Sequence, residues 1–219
     1  MNSKTYVVIG LGIFGSAVAK TIARSGADVI AIDSSMSCVE NVADVVSNAV
    51  QADCCDLDQL KEAGVQDADI AIVAMGSHLE ESIMAIIHLR ELHVKEIIAK
   101  ANNHNYMYVL ERVGADRVIQ PEKEAGQRLA ERLLNPNIVD MFNVDNEYSI
   151  LEIKAPSLWQ NHSLIELELR KNYAVNIIGI RSGDSKKLTM SFTPDYVIRP
   201  DDSLIIVADS KRLQQLDLN

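Results

Sequence analysis

The first 135 residues alternate short apolar runs with segments in which apolar residues recur every three or four positions. The runs predict strands covered on both faces, because such strands are continuously apolar. They lie at 6–9, 29–32, 49–51, 70–74, 97–99 and 118–119. The intervening segments predict helices at 14–25, 38–46, 57–63, 79–92, 106–113 and 124–134. This alternation indicates an α/β fold, a Rossmann-like doubly wound parallel sheet over residues 1–135.

The pattern changes after residue 135. Residues 136–147 begin with a proline, which ends the preceding helix, and half of them are polar, so we expect a linker there. Residues 148–219 predict a small α+β domain with strands at 149–153, 175–180, 189–192 and 204–207 and helices at 163–169 and 211–216. A domain of this size buries a modest core. It is therefore expected to pair with a partner, such as a second copy of itself.

Composition and charge narrow the functional classes. Apolar residues make up 47% of the chain, which is ample for a packed core, and the formal net charge is −10. A nucleic-acid-binding protein usually has a basic face, so DNA and RNA are poor candidate partners. No stretch approaches the roughly 20 apolar residues that span a bilayer. We expect a cytoplasmic protein that does not insert into a membrane. Its three cysteines, two of them adjacent, match neither a disulfide framework nor a zinc spacing.

A glycine-rich motif follows the first predicted strand and opens the first predicted helix. Gly10, Gly12 and Gly15 form the pattern G-x-G-x-x-G, which also contains Ile13 and Phe14. The first glycine of this motif makes a tight turn, the second lets a pyrophosphate approach, and the third lets helix pack on strand. The second strand ends at Asp33, where an acidic residue is expected to bind ribose hydroxyls and to disfavour a 2′-phosphate. The motif therefore predicts NAD(H) or an adenosine phosphate as ligand, in preference to NADP.

Further candidate binding residues follow the other strands, because ligands of open α/β sheets bind at the carboxyl ends of the strands. Asp53 lies where the adenine would fall, although it may equally cap the next helix. Lys100 and Glu122 follow the fifth and sixth strands, and a surface role is at least as good an interpretation for each. The small-residue loop after the fourth strand contains Ala74, Met75 and Gly76.

A catalytic constellation is not evident in the sequence. None of the five histidines forms a usual metal spacing with another ligand, and no nucleophile elbow or Walker lysine is present. A dehydrogenase needs an acid or base against the nicotinamide, and the tail offers only His162. We predict a binding protein, not an enzyme. The alternatives are an NAD-dependent oxidoreductase and, less compatible with the acidic charge, a Rossmann-type DNA-binding repressor.

Four segments resemble the RCK (KTN) proteins of Ktr/Trk-type bacterial potassium uptake systems. They read YVVIGLGIFGSAVAKTIARSGADVIAID, VLERVGADRVIQPEKEAGQRLA, EYSILEI and LRKNYAVNIIGIR. The resemblance covers nearly the whole chain. It implies a cytosolic regulatory subunit that forms dimers, then an octameric ring, and gates a membrane-embedded potassium transporter or channel. It would be peripheral to the cell membrane through that partner.

The resemblance also implies site residues in the first domain. ATP, ADP or NAD(H) would bind along the glycine loop, with Asp53 and Cys54 at the adenine end and Lys100 and Glu122 near the phosphates. Glu122 would also be a candidate ligand for a divalent cation. ATP-sensing relatives often have arginine immediately after the second glycine, where this chain has Ile13. Isoleucine donates no hydrogen bond to a third phosphate, so ADP, AMP or NAD(H) gains weight.

The second domain resembles modules that bind cyclic di-AMP between two copies. The matching positions are Leu164, Ile165, Arg170, Asn176, Ile177 and Pro194. Arg170 could pair with phosphate, and the aliphatic side chains could enclose adenine. From the residues alone, Leu164 and Ile165 would be interpreted as core and Arg170 as a surface charge.

Overall fold

The structure, a computed structural model, describes residues 4–134, 137–145, 147–183 and 187–209, with Asn143 described by its backbone only. Its contacts divide the chain into two compact units, Met1–Lys123 and Glu124–Asn219. No helix within these described ranges is long and apolar enough to cross a membrane.

The N-terminal unit is a six-stranded parallel sheet in the order β3-β2-β1-β4-β5-β6. Its strands are β1 (Thr5–Ile9), β2 (Asp28–Asp33), β3 (Asn48–Gln51), β4 (Ile70–Val73), β5 (Glu96–Lys100) and β6 (Arg117–Ile119). Its helices are α1 (Ile13–Arg24), α2 (Met36–Ala43), α3 (Leu57–Glu62), α4 (Leu79–Glu91) and α5 (His104–Val113), with a 3₁₀ helix at Val65–Asp67. Helix α6 (Pro121–Leu134) begins at the end of this unit. The predicted doubly wound fold is confirmed.

Apolar side chains on the two faces of the sheet enter separate core clusters. In β1, Val7 and Ile9 join one cluster, which includes Leu60 and Leu89, while Val8 joins the other. All four residues of β4 are buried, and they alternate between the two clusters in the same way. Burial on both faces explains why these strands read as continuous apolar runs.

The position of the ligand crevice follows from the strand order. Strands β1 and β4 are neighbours, but from β1 the chain moves first to β2 on the other side. The sheet therefore has a topological switch point between β1 and β4, and ligands bind outside the carboxyl ends of strands at such a point. The glycine loop lies directly after β1.

The C-terminal unit is a five-stranded antiparallel sheet in the order β10-β9-β11-β8-β7. Its strands are β7 (Ile138–Asn143), β8 (Tyr148–Lys154), β9 (Val175–Arg181), β10 (Leu188–Thr189) and β11 (Ser203–Asp209), with helices α7 (Leu164–Leu167) and α8 (Leu169–Asn172). Alternate residues of β8 and β11, such as Leu151 and Ile206, are buried against Trp159 and Ile198. One packed face and period-two burial are typical of an antiparallel sheet.

The C-terminal unit departs from three sequence expectations. The predicted linker at 136–147 contains β7, which pairs with β8 through a register shift between Ile138 and Asp140. This irregularity interrupts the period of two by which a strand is recognised. The helix predicted at 163–169 divides into α7 and α8 at Glu168, whose φ is +42°. The strand predicted at 189–192 shrinks to Leu188–Thr189, and the helix predicted at 211–216 lies outside the described residues.

Candidate functional site

At two of the three glycines of the loop, Gly10 and Gly15, the backbone leaves no room for a side chain. Gly10 has φ +91°, and a Cβ on it would lie 2.6 Å from Cγ of Met75. A Cβ on Gly15 would overlap the carbonyl oxygen of Gly10. The loop thus lies directly on the first turn of α1, and Ala74 closes the contact with its Cβ 3.1 Å from the Cβ position of Gly15.

Gly12 differs because the space beside it is open. It is the N-cap of α1, and no atom lies within 4 Å of the position that a Cβ would occupy. With no side chain at the N-cap, the first N–H groups of α1 lack the usual capping oxygen. An anion that approaches Gly12 would meet these donors and the positive end of the helix dipole. Ile13, the next residue, is 97% exposed.

Asp33 ties the glycine loop to the end of β2. One carboxylate oxygen accepts the N–H of Leu11 at 2.6 Å, and the other accepts the N–H of Ser35 at 2.8 Å. A carboxylate has about four acceptor positions, so roughly two stay open for ribose hydroxyls. Asp33 therefore has a structural role in addition to its predicted role in ligand binding.

A cavity of about 220 Å³ lies at this end of the sheet. It contains five of the predicted binding residues, Gly10, Asp33, Asp53, Cys54 and Met75. It is also lined by residues that the sequence analysis did not select: Ile9, Ser34, Ala52, Cys55 and Glu81. Glu81 lies in the first turn of α4, after the loop that follows β4. Met75 was predicted because it follows the carboxyl end of a strand, and Glu81 follows the same strand a few residues later.

Lys100, Glu122, Phe14 and Gly76 form a second group. Lys100 makes an ion pair with Glu122, its ammonium lies 5.7 Å from the centre of the Phe14 ring, and its side chain is 13% exposed. A Cβ on Gly76 would lie 3.1 Å from Cε of Lys100. The hydrogen bond from Lys100 lowers the pKa of Glu122. The role of Glu122 as a metal ligand stays a prediction.

The residues after β3 show which aspartate caps helix α3. Helix α3 is capped by Asp56, whose carboxylate accepts the N–H groups of Asp58 and Gln59. The capping role considered for Asp53 is therefore wrong. Instead, the Asp53 carboxylate accepts the N–H of Cys55 at 2.8 Å and lines the cavity.

Two groups near this cavity that could act in acid–base or nucleophilic chemistry, Cys54 and His88, are both buried. Burial is the largest of several effects that raise the pKa of Cys54 to about 12, so its thiol is protonated at neutral pH. His88 is buried on α4, with Nδ1 3.2 Å from the carbonyl oxygen of Cys54, where it packs inside the unit. These contacts describe a binding cavity with a structural histidine behind it.

A larger cavity, of about 500 Å³, lies in the C-terminal unit. It is lined by Leu164, Ile165, Glu168, Leu169, Arg170, Lys171, Val175, Asn176, Ile177, Phe192 and Pro194. The six positions that the resemblance implies for cyclic di-AMP are all among them. The structure thus brings together residues spread over 30 positions of the sequence, from Leu164 to Pro194.

Short helices and backbone hydrogen bonds hold this cavity open. A capping box between Ser163 and Glu166 begins α7, and the N–H of Ile165 donates to the carbonyl of Pro194 at 2.8 Å. Ile165 is 65% exposed, so its side chain is accessible to a ligand in this cavity. Within the described ranges, Arg170 has no hydrogen-bond or ion-pair partner, whereas Lys171 pairs with Glu168 at 2.8 Å.

Family models match both units. The TrkA-N domain model matches residues 6–121, and the TrkA-C domain model matches residues 148–218. The chain belongs to the TrkA/Ktr family of RCK proteins. It is 34% identical to Ktr system potassium uptake protein C of Bacillus subtilis (strain 168), over 93% of the chain and 91% of that relative. It is 33% identical to Ktr system potassium uptake protein A of the same organism, over 99% and 97%.

Solved structures support the fold. The chain is similar to the RCK domain of GsuK, with a TM-score of 0.54 and 22% identity over 99% of this chain and 46% of that one. It is also similar to GsuK bound to ADP, with a TM-score of 0.50 and 27% identity over 61% of this chain and 34% of that one. The chain therefore spans less than half the length of these structural neighbours.

Substitution by alanine should affect stability differently at Gly15 and at Gly12. We expect Gly15→Ala to destabilise the N-terminal unit by about 1–3 kcal/mol or more, because the new Cβ overlaps the Gly10 carbonyl. Gly12→Ala should change the free energy of unfolding by less than about 1 kcal/mol, since the position is open and its φ is negative, so that the gain from a stiffer unfolded chain offsets the poorer N-cap that alanine makes. Urea denaturation of both variants measures this difference. Equal destabilisation of the two would contradict the loop geometry.

Proposed function

We propose that this chain is a cytosolic regulatory subunit that gates a membrane-embedded potassium transporter or channel in response to bound nucleotides. The observation that carries the proposal is the similarity to Ktr potassium uptake proteins along almost the full length of the chain and of those relatives. The two cavities then become the sites where ligands act. A ligand shifts gating only as far as it binds one conformation better than the other.

In the N-terminal unit the ligand is an adenine nucleotide or NAD(H). The open backbone at Gly12 and the uncapped start of α1 suit the phosphates, and Asp33 suits the ribose. The cavity that includes Asp53 and Cys54 takes the adenine end, while Lys100 and Glu122 lie near the phosphates. The similarity to GsuK bound to ADP supports an adenosine phosphate. A divalent cation bound by Glu122 belongs to the same proposal.

Ile13 makes this site a weak discriminator of the third phosphate. Its side chain projects into solvent beside the start of α1, where a cationic side chain could reach a terminal phosphate. An aliphatic chain there supplies no charge-assisted hydrogen bond. The chain is therefore expected to bind ADP and ATP with similar affinity.

We expect Ile13→Arg to tighten ATP binding about tenfold relative to ADP, since a hydrogen bond to a charged group contributes about 1.5–3 kcal/mol. Ile13→Gln, which has a long polar side chain without charge, is the matched control and should change the ratio little. Calorimetric titration of each variant with both nucleotides measures the ratio. An equal gain for ADP and ATP would show that the new arginine does not contact the third phosphate.

In the C-terminal unit the ligand is cyclic di-AMP. The cavity volume lies in the range of about 300–1,000 Å³ that is usual for small-molecule sites. Leu164, Ile165 and Ile177 provide an aliphatic lining for adenine, and Asn176 offers hydrogen bonds. The Arg170 side chain, which has no partner among the residues that the structure describes, suits a phosphate. Cyclic di-AMP has two identical halves, so a two-fold dimer could bind each half with the same residues of each copy.

Calorimetry with cyclic di-AMP tests this assignment. We expect about one ligand per two chains, as a two-fold symmetric site requires. Arg170→Ala should weaken binding at least tenfold, because a charged hydrogen bond contributes about 1.5–3 kcal/mol. Arg199→Ala removes the same charge from an exposed position that does not line the cavity and should bind normally. Normal binding by Arg170→Ala, or the absence of binding by the unsubstituted chain over a range of temperatures, would refute the assignment.

The alternative, an NAD-dependent oxidoreductase, has less support. It requires a proton donor or acceptor beside a nicotinamide, but burial raises the pKa of Cys54 to about 12, and the buried His88 contacts the Cys54 carbonyl without lining the cavity. The named relatives are potassium uptake proteins. We therefore propose a binding role without turnover, in dimers and then an octameric ring at the cytoplasmic side of the transporter.

Potassium uptake in the native host tests the proposed role as a whole. Deletion of the gene should slow rubidium uptake at limiting potassium, because the transporter loses the subunit that opens it. The unsubstituted chain should restore uptake, whereas Gly15→Ala, which disrupts the nucleotide loop, should restore less. Unchanged uptake in the deletion strain, with the transporter genes intact, would reject the role.

A further inference from the structure

Three sulfur atoms and a carboxylate converge in the cavity of the N-terminal unit. One ligand atom from each of Asp53, Cys54 and Cys55 lies within 4.8 Å of the other two. Met75, at the end of a different strand, places its Sδ 3.8 Å from Sγ of Cys54. All four residues line the same cavity. The two adjacent cysteines alone match no metal-binding spacing. The third sulfur atom, the thioether of Met75, comes from the loop after β4, so sequence spacing does not reveal the group.

We infer that Cys54, Cys55 and Met75 form a binding site for a soft metal ion of the Cu⁺ type. Two sulfur ligands at about 2.3 Å from one ion are about 3.8 Å apart when the angle between them is tetrahedral. The Cys54 thiol donates a hydrogen bond to Sδ of Met75 at 3.8 Å, so the two sulfur atoms already stand at about this separation. Sγ of Cys55 lies within 4.8 Å of Sγ of Cys54, so both thiols can reach one ion.

The donor types decide which ion the site takes. Thiolate and thioether ligands together select Cu⁺, whereas carboxylates and carbonyls suit Mg²⁺, Ca²⁺ and Mn²⁺. On coordination each thiol releases its proton to solvent, and the metal–sulfur bond takes the place of the S–H bond. The cavity also contains the carboxyl groups of Asp33, Asp53 and Glu81, which favour a cation over an anion here.

Packing alone does not account for these cysteines. Cys54 is buried, with 7% exposure, but Cys55 is exposed and contributes no core contact. Cys38, the third cysteine, packs against the core cluster on the opposite face of the sheet and lines neither cavity. The chain therefore contains its own control thiol.

The site has a consequence that rests on the proposed nucleotide binding. Cys54 and Asp53 lie at the proposed adenine end, so an ion held by the sulfur atoms would occupy space that the adenine needs. Cu⁺ and ADP should then exclude one another. Nucleotide affinity of the unsubstituted chain should fall in the presence of Cu⁺, and that of Cys55→Ser should not.

Anaerobic titration of the metal-free full chain with Cu⁺, in competition with a chromophoric Cu⁺ chelator, tests the site. We expect about one tightly bound ion per chain. Cys55→Ser, an exposed position that should fold normally, ought to lose at least tenfold in affinity, since even a residue that only orients a ligand contributes about 10–100-fold. Cys54→Ser should lose Cu⁺ affinity to a similar extent, provided that its melting temperature equals that of the unsubstituted chain. Cys38→Ser should bind as the unsubstituted chain does.

Met75→Leu separates Cu⁺ from other thiophilic ions. Loss of the thioether should weaken Cu⁺ binding and leave Zn²⁺ binding unchanged, and X-ray absorption at the copper edge should show sulfur neighbours. Normal Cu⁺ binding by Cys55→Ser, loss of binding in Cys38→Ser, or a Cu⁺ affinity that Met75→Leu does not change would each overturn the inference. If ADP does not bind the metal-free chain, the proposed nucleotide site is wrong. The Cu⁺ titration still tests the metal site, because it does not depend on nucleotide binding.

Discussion

The contact between Gly10 and Gly15 is the constraint on which the rest of the N-terminal unit depends. The carbonyl of Gly10 lies where a Cβ of Gly15 would be, so strand β1 and helix α1 meet through backbone alone. Asp33 fixes this arrangement from the neighbouring strand by accepting the N–H of Leu11. Loop, helix and two strands therefore meet at one point, which fixes the start of α1 where the proposed nucleotide phosphates would lie.

The two cavities are built differently, which suits them to different ligands. The cavity beside the glycine loop is small and contains three carboxyl groups and three sulfur atoms. The cavity between α7, α8 and β9 is larger and mostly apolar, and Ile165, one of its lining residues, is exposed. If both cavities bind ligands as proposed, the protein would combine two signals. Their coupling is measurable as the change that one ligand causes in the affinity for the other.

The sequence was sufficient where local pattern and local structure coincide. The six parallel strands could be predicted because continuous apolar runs alternate with helical patterns. The glycine loop could be predicted because G-x-G-x-x-G lies between a strand and a helix. The linker prediction was wrong at β7, because a register shift hides the strand's alternation. The capping role of Asp53 could not be excluded from sequence, since Asp56 offers the same carboxylate three positions later.

Contacts across distant strands were beyond the reach of sequence patterns. Met75 meets Cys54, which is 21 positions away, and no periodicity relates the two. The resemblance to RCK proteins selected six C-terminal positions, and the structure places all six around one cavity. From the residues alone, Leu164 and Ile165 would have been assigned to the core and Arg170 to the surface.

The Lys100–Glu122 ion pair sets what a phosphate would gain at the proposed binding site. Lys100 is paired with a carboxylate and lies beside the Phe14 ring. A phosphate that bound Lys100 would share its ammonium with Glu122 or displace Glu122, so its gain would be the difference between two arrangements and not the strength of one ion pair. A displaced Glu122 would remain in the first turn of α6, where the helix dipole stabilises a carboxylate. The arrival of one negative charge would then free a second one nearby.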